Sequence, residues 1–395
     1  MTYLRIFLIV LDSLGIGLDS RAKDFSDEGS YTLLHIDEAV NGLSIPTLAS
    51  LGMADLCPLK NYQPLPHPHA FSMRLKELSN GKDTLTGHWE MMGIETKVPF
   101  KTFTDTGFPK ELISLLENET GYKLIGNVAA SGTEIIKLLG EQSIKEKSLI
   151  IYTSSDSVLQ LAAHEEVIGL SNLYQACQKA REICMEEQYK VARIIARPFI
   201  GDNPTNFKRT PNRHDYALMP PEDTVLDILS KHGYLTYGVG KINDIFATKG
   251  IKKTIKTISN SDGMNKTIDL LKNNHEAGLY FVNLVEFDSE YGHRRDPIGY
   301  GKALETFDHE LKTFISYMKE DDLLLISADH GNDPTYSGTD HTREEVPLLI
   351  YSPSINEGKK LEKRNSFGDI GMTILNNFHL EKEPHMVGIN IKEVK

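Results

Sequence analysis

The sequence predicts an α/β protein with a mostly parallel sheet flanked by helices. Apolar runs of strand length at 3–11, 235–239 and 279–287 are separated by helical patterns, which is the order of βαβ units. The runs at 3–11, 279–287 and 322–327 are each followed within two residues by an aspartate. Ligands of open α/β sheets bind beyond the carboxyl ends of the strands, so we expect a site at that edge.

The composition limits the classes of function that the protein can have. Of 395 residues, 40% are hydrophobic and 25% are charged, and the formal net charge of -12 argues against a basic surface for nucleic acid. The apolar runs are too short to cross a bilayer. Three cysteines, Cys57, Cys177 and Cys184, form no paired framework and predict buried thiols. We expect a cytoplasmic protein with no nucleic-acid, membrane or obligate protein partner.

The first predicted strand, Tyr3 to Leu11, is continuously apolar, as a strand buried on both faces should be. It ends at Asp12. A single aspartate after a strand is more often a helix N-cap than a ligand, so Asp12 becomes a ligand candidate only together with other residues. Residues 18–80 predict irregular structure.

The stretch Gly81 to Glu90 combines hydroxyls, charges, glycines and the single tryptophan of the chain. It predicts a helix start with Thr84 or Thr86 as the N-cap. Since a helix N-terminus stabilises anions, a phosphate on either threonine would be favoured there. The pattern does not choose between Thr84 and Thr86.

Residues 99–219 predict a self-contained smaller α/β domain inserted into a core formed by 1–98 and 220–395. Helices are expected at 110–119 and 170–187, and strands at 148–153 and 190–196. Its later part is locally basic, with Arg193, Arg197 and Arg209 among the charged residues. Guanidinium groups match phosphate oxygens, so this part predicts a phosphate pocket, and a solvated basic face is the alternative.

The last part of the chain predicts further strands and helices. A strand at 235–239 is followed by Lys241, a candidate for binding phosphate or a surface lysine. A helix is expected at 222–231, another at 262–273, and the clearest at 302–319, with Asp308 and His309 on its solvated side. A strand is expected at 346–351.

Strand-end residues supply three carboxylates and three imidazoles: Asp12, Asp288, His293, Asp329, His330 and His341. Mixed aspartate and histidine ligation suits manganese or zinc. Two such ions a few Å apart stabilise both the attacking and the leaving oxygen in phosphoryl transfer. The sequence therefore indicates a two-metal centre.

These residues carry a resemblance that extends over essentially the whole chain. The aspartate after the first strand, the Asp288–His293 pair, Asp-His-Gly at 329–331 and a later histidine resemble the alkaline phosphatase superfamily. The motifs GKDTLTGHWE at 81–90, RTPNRHDY at 209–216 and GKINDIF at 240–246 are, more closely, similar to the bacterial phosphopentomutase family. The resemblance implies an alkaline-phosphatase-like core with an inserted cap domain.

The resemblance also implies roles for individual residues. Two manganese ions would be bound, one by Asp12, Asp329 and His330 and the other by Asp288, His293 and His341. Thr84 would carry the transferred phosphoryl group. Substrate would be bound by Asp156, Arg193, Arg209 and Lys241, with Arg197 as the alternative to Arg193.

The implied reaction is the interconversion of ribose 1-phosphate and ribose 5-phosphate, and of the 2-deoxyribose phosphates. A 1,5-bisphosphate would be the intermediate, and glucose 1,6-bisphosphate or a similar sugar bisphosphate would prime the enzyme. Three alternatives stay open: a metal-dependent phosphomonoesterase, a cofactor-independent phosphoglycerate mutase, for which a serine carrier is expected, and a non-catalytic binding protein.

Overall fold

The structure, a computed structural model, describes residues 2–154 and 157–394 and consists of two compact units. The core unit is Met1–Val98 together with Pro220–Lys395, and the inserted unit is Pro99–Met219. Asp156 lies outside the described residues. None of the helices in those two ranges has the length and apolar character needed to cross a membrane.

The helices and strands follow one another in an order that alternates over most of the chain. The core unit begins with β1 Arg5–Leu11, α1 Thr32–Ala39, α2 Pro46–Ser50, α3 Met53–Leu56, β2 Ala70–Leu75 and α4 Thr84–Met91. The inserted unit consists of α5 Lys110–Thr120, β3 Leu124–Ala129, α6 Gly132–Glu146, β4 Leu149–Thr153, β5 Val158–His164, α7 Leu170–Ile183, β6 Arg193–Ile200, β7 Lys208–Arg209 and β8 His214–Ala217. The core unit then continues with α8 Val225–Lys231, β9 Leu235–Val239, α9 Ile242–Ile245, β10 Lys253–Ile255, α10 Asn260–Asn273, β11 Gly278–Leu284, α11 Pro297–Tyr317, β12 Asp322–Ser327, β13 Val346–Tyr351 and α12 Gly368–Asn377.

The core sheet has the strand order β10-β9-β11-β1-β12-β13-β2. Its first five strands are parallel; at one edge β13 pairs antiparallel with β12, and β2 pairs antiparallel with β13. The predicted α/β class with a mostly parallel sheet is confirmed. The prediction of irregular structure for 18–80 is wrong, because this stretch contains β2 and three short helices.

The central strand β1 is buried along its whole length, which its apolar sequence requires. Its first residue, Arg5, pairs with Asp322 on β12 through Nε–Oδ1 and Nη2–Oδ2 contacts of 2.7 and 2.9 Å. Arg5 and Asp322 are also register partners of the two strands. This buried, two-point ion pair fixes the register at the amino end of the strands, and the carboxyl ends are thereby aligned.

The inserted unit has its own mixed sheet, β3-β4-β5-β6-β7, with β8 paired to β6. One face, covered by α5 and α7, buries a cluster that includes Leu112, Leu173 and Ile194. The other face buries a smaller cluster around Ile135 of α6 and Tyr152 of β4. Each face therefore has a hydrophobic core.

Several local predictions need correction. The strand expected at 279–287 ends at Leu284, and a π-helical turn, Phe287–Gly292, follows it. Asp308 is buried instead of solvated, because its carboxylate accepts hydrogen bonds from the amides of Thr47 and Leu48 at the start of α2. The predicted burial of the three cysteine thiols is confirmed.

Candidate metal centre

The carboxyl ends of β1, β11 and β12 place the candidate ligands in two groups. Asp12 directly follows β1, and the segments after β11 and β12 supply the others. One group is Asp12, Asp329 and His330, and the other is Asp288, His293 and His341; within each, one donor atom per residue lies within 4.8 Å of the others. Rings of His330 and His341 link the groups, with centroids 4.0 Å apart.

In the first group, each carboxylate has one oxygen that accepts a hydrogen bond from an amide group. Asp12 Oδ2 accepts from Asn283 Nδ2 at 2.7 Å, and Asp329 Oδ1 accepts from the Ser13 amide at 3.1 Å. The other two oxygens, Asp12 Oδ1 and Asp329 Oδ2, are buried; Asp12 Oδ1 has no hydrogen-bond partner within the described ranges, and Asp329 Oδ2 lies 3.1 Å from His88 Nδ1. These two oxygens lie 3.5 and 3.3 Å from His330 Nε2.

In the second group, two imidazole nitrogens face one carboxylate. Nε2 of His293 lies 3.2 Å from Asp288 Oδ2, and Nε2 of His341 lies 3.5 Å from Asp288 Oδ1. The two Nε2 atoms are 3.1 Å apart. Since His293 Nδ1 lies 3.0 Å from the carbonyl oxygen of Thr339, that nitrogen is the natural proton carrier and Nε2 offers a lone pair.

The donor set fits metal cations. Buried carboxylate oxygens without a hydrogen-bond partner are costly unless a cation compensates them. Burial, together with the charges of Asp329 and Asp288, raises the pKa of Asp12 well above its ordinary value. Burial acts on Asp288 as well, but the neighbouring His293 and His341 outweigh it and hold the pKa of Asp288 well below its ordinary value. A bound cation would favour the deprotonated ligands.

Thr84 is the first residue of α4 and lies beside the first group. Its Oγ1 is 3.2 Å from His330 Nε2, and its side chain is half-buried. The N-cap of α4 is Asp83, so the prediction of a threonine cap is wrong. Asp83 accepts from the amides of Leu85 and Thr86, and these donors of the helix end are therefore not available to a phosphate on Thr84.

Thr86 differs from Thr84 in both exposure and hydrogen bonding. It is fully buried, and its hydroxyl donates to Asp83 Oδ2 at 2.6 Å. Its oxygen is thus part of the cap of α4. Of the two threonines that the sequence left open, only Thr84 has its hydroxyl next to a candidate metal ligand in the described structure.

Two more residues of α4 hold it against the ligands. Gly87 packs on the backbone of Asp329, where a Cβ atom would lie 2.1 Å from the carbonyl oxygen. His88 is buried, with Nδ1 2.9 Å from the Thr84 carbonyl oxygen and 3.1 Å from Asp329 Oδ2. Its Nε2 lies 3.4 Å from Asn283 Nδ2, a donor, so we assign the proton to Nδ1.

A buried arginine joins the loop before Thr84 to the segment after His341. Arg343 donates to Asp19 Oδ2 at 2.9 Å, to Glu77 Oε2 at 2.7 Å and to the Ser79 carbonyl oxygen at 2.8 Å. It also donates to the carbonyl of Gly81, two residues before the cap of α4. The position of α4 therefore depends on this guanidinium group.

The substrate-binding candidates belong to different parts of the chain. Lys241 follows β9 in the core unit, and its charge acts on Asp12. Arg193 begins β6 and Arg209 ends β7 in the inserted unit. There, Arg197, Arg209 and Arg213 line a cavity of about 360 Å³, and burial followed by the Arg213 charge lowers the pKa of Arg197.

Sequence reasoning gave no role to four residues that contact the candidate ligands, Ser13, His88, Asn283 and Asn332, or to Arg295, which holds Asn332. One signal was present for His88, which lies four residues after Thr84 and therefore on the same helix face. A similar signal exists for Asn332, two residues after His330. No spacing rule points to Asn283 or Arg295.

Comparison with known proteins places this chain in a class and then in a family. A model of the metalloenzyme superfamily matches residues 4–382, so the chain belongs to that superfamily. Phosphopentomutase from Clostridium beijerinckii is 51% identical over 389 residues, with 98% of each chain covered. Phosphopentomutase from Clostridium tetani is 50% identical over 393 residues, covering 99% of this chain and 98% of its own. The chain belongs to the phosphopentomutase family, and it is an isomerase of the intramolecular phosphotransferase type.

A more distant likeness is found among solved structures. Phosphoglycerate mutase from Leishmania mexicana aligns over 98% of this chain and 97% of its own, with 12% sequence identity and a TM-score of 0.48.

Proposed function

We propose that this enzyme interconverts ribose 1-phosphate and ribose 5-phosphate, and the corresponding 2-deoxyribose phosphates, with Thr84 as the phosphate carrier. The observation that carries the proposal is the 3.2 Å contact between Thr84 Oγ1 and His330 Nε2, a member of the first ligand group. Two relatives that are 51% and 50% identical to this chain over nearly their full length are named phosphopentomutase.

In the proposed cycle, a phosphoryl group passes from Thr84 to the sugar and back. The free hydroxyl of the sugar phosphate attacks phosphothreonine; a new P–O bond to the sugar forms and the bond to Thr84 Oγ1 breaks. The hydroxyl proton ends on the threonine oxygen, which leaves Thr84 as a hydroxyl and the sugar as a 1,5-bisphosphate. Transfer of the other phosphoryl group to Thr84 then releases the isomer.

The two ligand groups are proposed to hold two manganese ions. When bound, these ions supply positive charge for the oxygens of the transferring phosphoryl group. The chain itself holds Thr84 in place through α4, with His88 fixing the Thr84 carbonyl and Asp83 capping the helix. Because a threonine hydroxyl is a weak nucleophile, its fixed position beside the ligands is the main contribution that α4 makes.

Arg193, Arg209 and Lys241 are the proposed contacts of the sugar phosphate, with Arg197 as the alternative to Arg193, and Asp156 is proposed from its motif alone. The clustering of Arg197, Arg209 and Arg213 supports an anionic ligand in the inserted unit. A sugar bisphosphate such as glucose 1,6-bisphosphate is proposed to phosphorylate the resting enzyme.

Intact mass spectrometry after incubation with glucose 1,6-bisphosphate and Mn²⁺ tests the carrier. We expect an increment of one phosphate in the wild type and in Thr86→Ser, and none in Thr84→Ala. An increment that persists in Thr84→Ala would show that another residue carries the phosphate.

A product assay separates the mutase from a phosphomonoesterase with the same residues. Ribose 1-phosphate is supplied to the primed enzyme, and ribose 5-phosphate and inorganic phosphate are measured together. We expect isomerised product to exceed released phosphate by orders of magnitude. Phosphate release that matches turnover would overturn the mutase proposal.

A further inference from the structure

Two buried asparagines each donate one hydrogen bond to an aspartate of a different ligand group. Nδ2 of Asn283 lies 2.7 Å from Asp12 Oδ2, and Nδ2 of Asn332 lies 2.7 Å from Asp288 Oδ1. We infer that Asn283 and Asn332 are positioning residues that fix one oxygen of each aspartate, so that the other oxygen is presented to a metal ion. The inference rests on the proposed two-metal centre.

The contact at Asp12 depends on the strand register. Asn283 is the register partner of Val10 on the neighbouring strand, near the end of β11, and it is almost fully buried. Its Oδ1 has no hydrogen-bond partner among residues 2–154 and 157–394. Asn283 therefore acts through its Nδ2, which donates to Asp12 Oδ2, and the buried Asp12 Oδ1 remains available to bind a metal ion.

The contact at Asp288 has an additional support. Asn332 Oδ1 accepts from Arg295 Nη1 at 2.6 Å, so both ends of this carboxamide are engaged. Arg295 also donates to the carbonyl oxygens of Asp333 at 3.0 Å and Gly338 at 2.7 Å. One guanidinium group thus holds Asn332 and the segment that leads to His341.

A neutral amide suits this task better than a cation. A lysine or arginine at either position would place a positive charge next to a divalent ion, whereas a carboxamide orients the aspartate without repelling the ion. Loss of a group that orients a metal ligand typically costs about 10- to 100-fold in metal affinity. The alternative is that each asparagine only satisfies a buried carboxylate and stabilises the fold.

The test compares Asn283→Leu and Asn332→Leu with a matched variant, Asn377→Leu. Asn377 is a buried asparagine of the core unit that bonds the backbone of Tyr3 at 2.8 and 2.9 Å and touches neither ligand group. Metal-free proteins are titrated with Mn²⁺ in a calorimeter, and their urea unfolding is measured without metal. Asn283→Ser and Asn332→Ser, which keep a polar but shorter side chain, repeat the comparison if a leucine variant does not fold.

We expect each positioning variant to weaken one of the two Mn²⁺ binding steps about 10- to 100-fold and to leave the other near its wild-type value. Asn377→Leu should lower stability without changing either step. In an Asp12→Asn background, Asn283→Leu should weaken Mn²⁺ binding no further, since the two residues act as a unit.

Three results separate the inference from the proposed function. Wild-type protein that binds fewer than two Mn²⁺ ions overturns the two-metal centre itself. Two wild-type binding steps that stay unchanged in both positioning variants overturn only the role of the asparagines. Equal weakening of both steps by all three leucine variants would show a general loss of structure, and it also overturns the inference.

Discussion

Replacing Gly87 by alanine should reduce phosphoryl transfer far more than it reduces stability. A Cβ atom at position 87 would lie 2.1 Å from the carbonyl oxygen of Asp329 and 2.9 Å from its Cβ. Close C–H···O contacts begin at about 3.3 Å, so α4 and the Asp329 backbone must separate by roughly 1 Å. Both contacts involve atoms at or next to the main chain, so no flexible side chain can give way.

The consequences differ for stability and catalysis. Overpacking typically costs about 1–3 kcal/mol, but alanine regains about 1 kcal/mol over glycine in a helix, so the net loss should be about 0–2 kcal/mol. A displacement of about 1 Å in a reacting group costs on the order of 100-fold in rate. Since Thr84 is on the same helix, its 3.2 Å contact with His330 should lengthen.

The assay is mutase turnover of the primed enzyme, with phosphate uptake on Thr84 followed by intact mass and stability followed by urea unfolding. Gly263→Ala is the matched control, because Gly263 lies within α10 and its added Cβ would meet only the Cδ2 of Leu284 at 3.0 Å and the Cγ2 of Thr257 at 3.6 Å. Turnover of Gly87→Ala within a few-fold of the Gly263→Ala value would refute the steric argument.

Three further predictions concern other parts of the molecule. Arg343→Met leaves the buried Asp19 and Glu77 without their partner and should cost about 3–5 kcal/mol in urea unfolding, and a loss below about 1 kcal/mol would contradict the ion-pair assignment. Burial opposes ionisation of Asp215, but its bonds to Arg213 outweigh burial and lower its pKa. The stabilisation of the fold by ionised Asp215 is therefore fully present above an ordinary aspartate pKa of about 3.9, and it is lost as the pH falls through the lower pKa of Asp215 in the folded protein. Asp215→Asn should accordingly lower stability by about 1.5 kcal/mol at pH 7 and much less at pH 3, as measured by urea unfolding at both pH values. Removal of metal by EDTA should abolish mutase activity and lower the unfolding temperature, with both restored by Mn²⁺; an unchanged unfolding temperature would argue against metal binding to the folded state.

The parts of the molecule that follow short-range patterns could be predicted from the sequence. The strands Leu235–Val239 and Val346–Tyr351 have the expected bounds, because their apolar runs are short and clearly delimited. The choice between Thr84 and Thr86 could not be made from pattern, since it depends on which hydroxyl Asp83 engages.

Errors arose where tertiary contacts decide the environment of a residue. Asp308 has the spacing of a solvated helix residue, yet α2 packs against it and donates two amides to its carboxylate. Likewise, β2 is short and follows a proline-rich segment, and its burial depends on pairing with β13, which is distant in the sequence. Neither contact leaves a local signal.

The difference between local patterns and distant contacts also applies to the candidate metal ligands and the residues that hold them. Asp12 and Asp329 follow strands that pair directly, so the sheet register itself brings them to one level, and a sequence pattern can predict this. His293 and His341 come from longer segments whose paths are held by Arg295 and its carbonyl contacts. The second ligand group should therefore be the more sensitive of the two to changes outside the ligands. Arg295→Met should weaken one Mn²⁺ binding step, the step that Asn332→Leu weakens, and an equal effect on both steps in a Mn²⁺ titration would contradict this division.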